Sequence, residues 1–135
     1  MARVQRLTYF KTRVEDKPGA LLAIMKELKA RNIGLSGLWA YGTPSGRADV
    51  FVIPRNPDKL RETWKGLAIL SEEGTGFFLR GPDKTGVLLK SLEALAMEGV
   101  NLVALSAVAI AGNYGSLVWV KPEDTERVAK ILGIP

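Results

Sequence analysis

Hydrophobic positions along this chain change period several times, and each change marks an element. Over residues 7–14, Leu7, Tyr9, Phe10 and Val14 are interleaved with Thr8 and Thr12, a run rich in the residue types that fit a pleated surface. From Leu21 the period becomes helical. Leu21, Ile24, Met25 and Leu28 share one face while Lys26, Glu27, Lys29 and Arg31 take the other. Asn32 and Gly34 stop this helix, since both tolerate a left-handed backbone. A second strand follows over 33–41, and the turn Gly42-Thr43-Pro44-Ser45-Gly46 leads into a third over 48–53, so the pair reads as a hairpin. Asn56-Pro57-Asp58 opens a short helix running to about residue 65, with a capping Asn, a Pro in the first turn and an acid at the positive end of the dipole. A fourth strand fits 67–71.

The series then begins again. Asp16-Lys17-Pro18-Gly19-Ala20-Leu21-Leu22 recurs 67 residues later as Asp83-Lys84-Thr85-Gly86-Val87-Leu88-Leu89, and residues 16–35 match 83–102 at 7 of 20 positions. Phe10 and Arg13 fall on Phe77 and Arg80 in the same register. Such a repeat decides the architecture before any local motif does. The second copy has a strand over 76–80, then a helix with Leu88, Leu92 and Leu95 on one stripe, stopped by Gly99 and Asn101. Strands over 102–111 and 116–120 follow, joined by the turn Gly112-Asn113-Tyr114-Gly115, and Pro122-Glu123-Asp124 opens a last helix through Val128, Ile131 and Leu132.

The order β, α, β, β, α, β in each copy predicts an α+β protein of two tandem ferredoxin-like βαββαβ repeats, spanning 1–74 and 75–135, with antiparallel sheets and helices on one face. The second copy ends too early for a full fourth strand, which leaves an edge of unpaired backbone for some other segment to cover. The extended stretch 3–7 is one candidate. The second strand of this copy is apolar on both faces, with Leu102, Ala104, Val108 and Ile110 on one side and Val103, Leu105, Ala107 and Ala109 on the other. That pattern predicts burial on both sides, between repeats or between subunits.

Composition narrows the function. With 47% hydrophobic and 24% charged residues, the 135-residue chain reads as globular. Cysteine and histidine are both absent. Their absence removes disulfides, thiolate nucleophiles, nearly all transition-metal sites and the usual general base near neutral pH. Glu72 and Glu73 sit beside glycine in what reads as a solvated loop, without an acid–base partner at defined spacing. No catalytic residue, metal or cofactor is therefore expected. No apolar run approaches the roughly 20 residues that cross a bilayer, and no signal-type stretch follows Met1, so a soluble, cytoplasmic protein is expected.

Charge is uneven. Residues 1–67 hold 13 Lys or Arg against 6 Asp or Glu, a net of +7, whereas residues 68–135 hold 6 against 8, a net of −2. A basic half of this kind suits an acidic protein surface or nucleic acid, or is simply a solvated face. RNA-recognition modules of this topology carry aromatics in a Gly-Phe-type motif on the middle strands. The third strands here, 48–53 and 116–120, lack that motif, which argues against nucleic acid.

Val14-Glu15-Asp16-Lys17-Pro18-Gly19-Ala20-Leu21, followed by Arg31-Asn32-Ile33-Gly34-Leu35, resembles the ACT domain family, as do Asp83-Lys84-Thr85-Gly86-Val87-Leu88 and Gly99-Val100-Asn101-Leu102. The resemblance covers nearly the whole chain as two tandem domains. It implies a sensor of small molecules, usually amino acids, that controls a metabolic enzyme or acts as a separate regulatory protein. It further implies a ligand held where two domains meet, near the turn from first strand to first helix and the start of the second strand. By position this points to Asp16, Lys17, Gly19, Ala20, Leu21 and Asn32, and to Asp83, Lys84, Gly86, Val87, Leu88 and Asn101. Thr85 stands where the family has Pro. Asn101 holds the ligand-facing Asn position, with which Gly34 aligns in the first copy, so the site containing Asn101 is favoured.

The chemistry of these residues suits an amino acid independently. A helix entry presents unpaired N–H groups and a partial positive charge to a carboxylate, and glycine lets that backbone be approached closely. An Asn side chain both donates and accepts, and Asp16 or Asp83 suits an ammonium. Each residue also has a plainer reading. The aspartates are candidate helix caps, the glycines turn-formers, Asn32 and Asn101 helix stops, and Trp39, Trp64 and Trp119 core or interface residues. The expected protein is a non-catalytic amino-acid-binding regulator acting as a homodimer. The alternatives are a regulatory subunit of a metabolic enzyme with little ligand affinity and, less favoured, an RNA-binding module.

Overall fold

A computed structural model describes residues 3–134. In chain order its elements are β1 (Arg3–Glu15), α1 (Ala20–Ala30), β2 (Leu35–Gly42), β3 (Arg47–Pro54), α2 (Pro57–Gly66), β4 (Glu72–Pro82), α3 (Leu89–Met97), β5 (Leu102–Ile110), β6 (Asn113–Val120), a 3-10 turn over Pro122–Asp124 and α4 (Thr125–Ile131). Contacts divide the chain into a first unit, Thr8–Gly74, and a second unit made of the residues from Thr75 onward together with those up to Leu7. These are two ferredoxin-like α+β repeats.

In the first unit the strand order is β2-β3-β1-β4. Phe10 pairs with Val52 and Thr12 with Val50 across the antiparallel β1–β3 ladder. Alternation along the strands sends Phe10, Val50 and Val52 to one face, where Leu28 of α1 and Leu60 and Trp64 of α2 close the core. The opposite face holds Phe51, whose ring stacks on Trp39 at 5.1 Å, with Tyr9 and Tyr41 at 6.0 and 5.9 Å. Beside it the buried Asp49 carboxylate accepts from Arg13 Nε at 3.0 Å and lies 3.5 Å from Lys11 Nζ. Burial, then the charge of Glu72, pushes the Tyr9 phenol up to about 12, and the phenol donates to that carboxylate at 3.3 Å.

The second unit repeats the plan in the order β5-β6-β4-β1. Phe77 pairs with Val118 and Gly81 with Tyr114. Phe77, Leu79, Val118 and Val120 form the sheet side of a core closed by Leu95, Val128 and Ala129 from α3 and α4. The place beside β4 is taken by the N-terminal part of β1. Val4 packs against this core, and the Arg6 guanidinium donates twice to the Glu126 carboxylate, at 3.0 Å each. That contact holds the Glu126 carboxyl below its ordinary range. Residues 3–7, read from the sequence as part of the first repeat, thus stand where the second repeat lacks a strand of its own.

The fourth strand of the first unit differs from its expected span. Residues 67–70 are not strand: Leu67 caps α2, Ala68 takes φ 58°, and Ile69 N–H returns to Trp64 C=O at 3.0 Å. This folds Ile69 and Leu70 back onto the core. The strand begins only after Ser71, whose N–H donates to Lys11 C=O at 2.8 Å, so Glu72 and Glu73 open β4 instead of lying in a loop. Glu73 accepts two hydrogen bonds from the Arg61 guanidinium, each 2.8 Å, and Asp58 accepts a third at 2.7 Å.

Among the described residues, each of the helices α1 to α4 ends by one device. The residue after the cap is left-handed (Asn32, Ala68, Gly99, Gly133), and the next N–H reaches back five residues, as from Ile33 to Leu28 and from Val100 to Leu95. The second hairpin turns on Ala111-Gly112, with φ 53° and 80°, and Ile110 pairs directly with Asn113. Tyr114 and Gly115, expected in the turn, are therefore strand residues. β5 is an edge strand of its unit, and Val103, Val108 and Ile110 are 56%, 60% and 71% exposed. The predicted burial of this strand is not supplied within its unit.

Candidate functional site

In the first unit β1 ends at Glu15 and the chain turns through residues 16–19 into α1. The turn is held by backbone bonds, Asp16 N–H to Gly46 C=O at 3.1 Å and Ala20 N–H to Lys17 C=O at 3.3 Å. Gly19 has φ 86°, a conformation that admits glycine readily, and no atom lies within 4 Å of where its Cβ would be. α1 has no side-chain cap and no acid in its first turn. Asp16, a candidate cap, does not cap. Its carboxylate instead lies against the end of β2, where a Cβ on Gly42 would fall 2.5 Å from Asp16 Oδ2.

A hollow of about 220 Å³ is lined here by Asp16, Lys17, Ala20 and Leu21 with Tyr41 and Gly42. It places a carboxylate, an ammonium and an uncapped helix start together. The Lys17 ammonium is also 2.9 Å from Glu15, which holds the Glu15 carboxyl low through that hydrogen bond and charge. Asn32 is not part of the corner. It is the left-handed residue that stops α1, and it lines a separate hollow of about 280 Å³ with Lys29 and Gly34.

The second corner has the same frame, with Asp83 N–H donating to Gly112 C=O at 2.9 Å and Gly86 at φ 76°. Its entry is longer. Val87 and Leu89 N–H groups bond three residues back, to Lys84 and Gly86, and regular helix begins only at Leu89. Leu88 stands at the cap position of α3 and packs on the core. Asp83 does not cap α3 either, since no side chain does so. Lys84 and Val87 line a cavity of about 510 Å³. Asn101 lies just before β5, whose start pairs with Val120 while its end pairs with Asn113 near Asp83. Nine strand residues separate the two places, on the order of 25 Å at the usual rise. Within its own unit Asn101 is therefore far from Asp83.

Tyr114 was missed as a site residue because it reads as part of a turn. It is 5% exposed, its hydroxyl has no hydrogen-bond partner among the described residues, and burial pushes its phenol up. A buried hydroxyl left unpaired costs about 1–3 kcal/mol. Tyr41 and Gly42 were missed because the corner meets them through the fold and not along the chain. Among the described residues, no group of three or more acidic side chains is placed to hold a metal ion, and no helix is long and apolar enough to cross a membrane.

No family model matches the chain, and no curated protein matches it. Solved structures do. Protein BT0572 from Bacteroides thetaiotaomicron is similar with a TM-score of 0.79 and 21% identity, over 97% of this chain and 91% of that one. The regulatory subunit of aspartate kinase from Thermus thermophilus, in its ligand-free form, gives 0.65 and 14% over 98% and 94%. The aspartokinase alpha and beta subunits give 0.59 and 19% over 97% and 93%. The fold of this chain, two ferredoxin-like α+β repeats in tandem, is the one it shares with the Thermus thermophilus regulatory subunit.

Proposed function

We propose that this protein is a non-catalytic regulator that binds a free amino acid at its strand-to-helix corners, in a seam completed by a second copy of the chain. The observation that carries the reading is the first corner. An amino acid presents a carboxylate and an ammonium side by side, and there Lys17 and the uncapped start of α1 face the same hollow as Asp16. The hollow is shallow, which suits a site that another surface must close. Asn101 belongs to the reading as a residue brought to a corner by the partner copy, as do Asp83, Gly86 and Leu88 at the second corner.

A thermal-shift series with the twenty amino acids tests this. One of them raises the melting temperature with concentration, because a ligand that binds the native state alone stabilises it by mass action. Gly42→Ala supplies the control: its Cβ displaces the Asp16 carboxylate, so the shift falls while the unliganded protein stays within about 0.5 kcal/mol of wild type in stability. A flat response to all twenty overturns the reading.

The pairing itself is proposed to use β5, an exposed apolar edge that natural proteins seldom leave bare. Light scattering of Val108→Lys, at a position 60% exposed, should return a monomer mass where wild type returns a dimer. A wild-type monomer rejects this part. A second reading is favoured by the likeness to a regulatory subunit of a kinase: the chain is a partner subunit of a metabolic enzyme, held by its basic first half. Co-purification of an enzyme with the native protein, together with a flat amino-acid screen, would select it.

A further inference from the structure

The cavity of about 510 Å³ in the second unit runs inward from Lys84, between the helix-bearing face of the sheet and the helices α3 and α4. Its size falls in the range of small-molecule sites, roughly 300–1,000 Å³. Val4, Pro82, Val87, Ala94, Ile131 and Leu132 give it apolar walls. Its polar groups are of one kind. Lys84 and Lys90 bring positive charge, Ser91 and Tyr114 carry hydroxyls, and among the described residues no carboxylate lines it. α3, whose first turn supplies Lys90 and Ser91, starts without a side-chain cap and without an acidic residue.

The hydroxyl of Tyr114, a residue of this wall, is buried and has no partner among the described residues. The register places Ala48 at the equivalent point of the first unit, since Val14 pairs with Ala48 as Gly81 pairs with Tyr114. The first unit thus has a methyl where the second has an unmatched donor. Buried hydroxyls are ordinarily paired, and what is missing here is an acceptor.

We propose that this cavity binds a small monocarboxylate with a short aliphatic tail. The carboxylate accepts from Tyr114 Oη and lies near the Lys84 and Lys90 ammonium groups and the positive end of α3. The tail lies against Val87, Ala94, Ile131 and Leu132. A phosphate is a poor match, because most of the wall would meet it with carbon. The site is complete within one unit and asks for no ammonium on the ligand, so it does not rest on the amino-acid reading of the corners.

Calorimetric titration of the full chain with 4-methylpentanoate, with 4-methylpentanamide as the neutral control, tests the proposal. Saturable binding of the acid is expected, with the amide about tenfold weaker. Tyr114→Phe should weaken the acid about tenfold while leaving the melting temperature equal or higher, since it removes only an unpaired hydroxyl. Lys90→Gln, at an exposed position that does not threaten folding, should weaken the acid and reduce its salt dependence. Gly42→Ala should leave this binding intact, which separates it from any amino-acid response at the first corner. Absence of saturable binding up to about 10 mM, equal binding of acid and amide, or unchanged binding by both Tyr114→Phe and Lys90→Gln overturns it.

Discussion

Removal of residues 1–7 is expected to unfold the second unit and drive the protein into aggregates. The deletion strips Val4 from the core, removes the Arg6–Glu126 pair, and bares the edge of β4 that the N-terminal part of β1 occupies. A bared edge is a template for strand addition from any neighbouring chain. Light scattering should report particles larger than the intact protein, and circular dichroism should lose its cooperative melt for the second unit. A point variant gives a milder form of the experiment. Val4→Asp places a charge against the same core and should lower the melting temperature without shortening the strand. If the deletion variant melts like wild type and stays monodisperse, residues 3–7 contribute nothing to that unit.

The second large effect lies at the centre of each core. Phe10 and Phe77 occupy equivalent places in the two repeats, and both are 0% exposed. Truncating either to alanine removes most of a buried ring and leaves a cavity, at a cost of about 3–5 kcal/mol. Domains of this size have only about 5–15 kcal/mol in total, so each variant should be close to unfolding at room temperature. Urea denaturation measures the loss. Leu89→Ala serves as the control, because Leu89 is 59% exposed and its truncation should cost no more than about 0.5 kcal/mol. A Phe77→Ala cost near that of the control would mean that the ring is not a core element.

Much of this fold could be read along the chain, and the reason is local. Helical stripes such as Ile24, Met25 and Leu28, the cap Asn56, and the left-handed stops at Asn32 and Gly99 are written within a few residues of where they act. What escaped reading depends on distant partners. The stretch 3–7, a candidate from its sequence to cover the second repeat's bare edge, proves continuous with the strand over 7–14 as one β1 from Arg3 to Glu15, a union that nothing local in Arg3, Gln5 and Arg6 announces. Likewise, Glu72 and Glu73 look like loop residues until Lys11 and Arg61 are brought to them.

Tyr114 was hidden by its neighbours. Gly112 and Gly115 both suggested a turn, but the turn uses Gly112 alone with Ala111. Gly115 serves another purpose, since a Cβ there would lie 3.1 Å from the Phe78 ring. Of the candidate site, the sequence places Asp16, Lys17, Ala20 and Leu21 together, because they are contiguous at one corner. It could not show that Asn32 and Asn101 stand away from their own corners, because a strand's length of backbone separates them only after folding.

The placement of residues 3–7 sets an order of events during synthesis. The strand beside which they lie is made some seventy residues after them, a wait of about 4–14 s at typical elongation rates. The first unit, Thr8–Gly74, is made in full only as that same strand begins, since β4 opens at Glu72 and passes into the second unit at Thr75. During that interval residues 3–7 are an unpaired segment, and they are the piece a chaperone or a second growing polypeptide would meet.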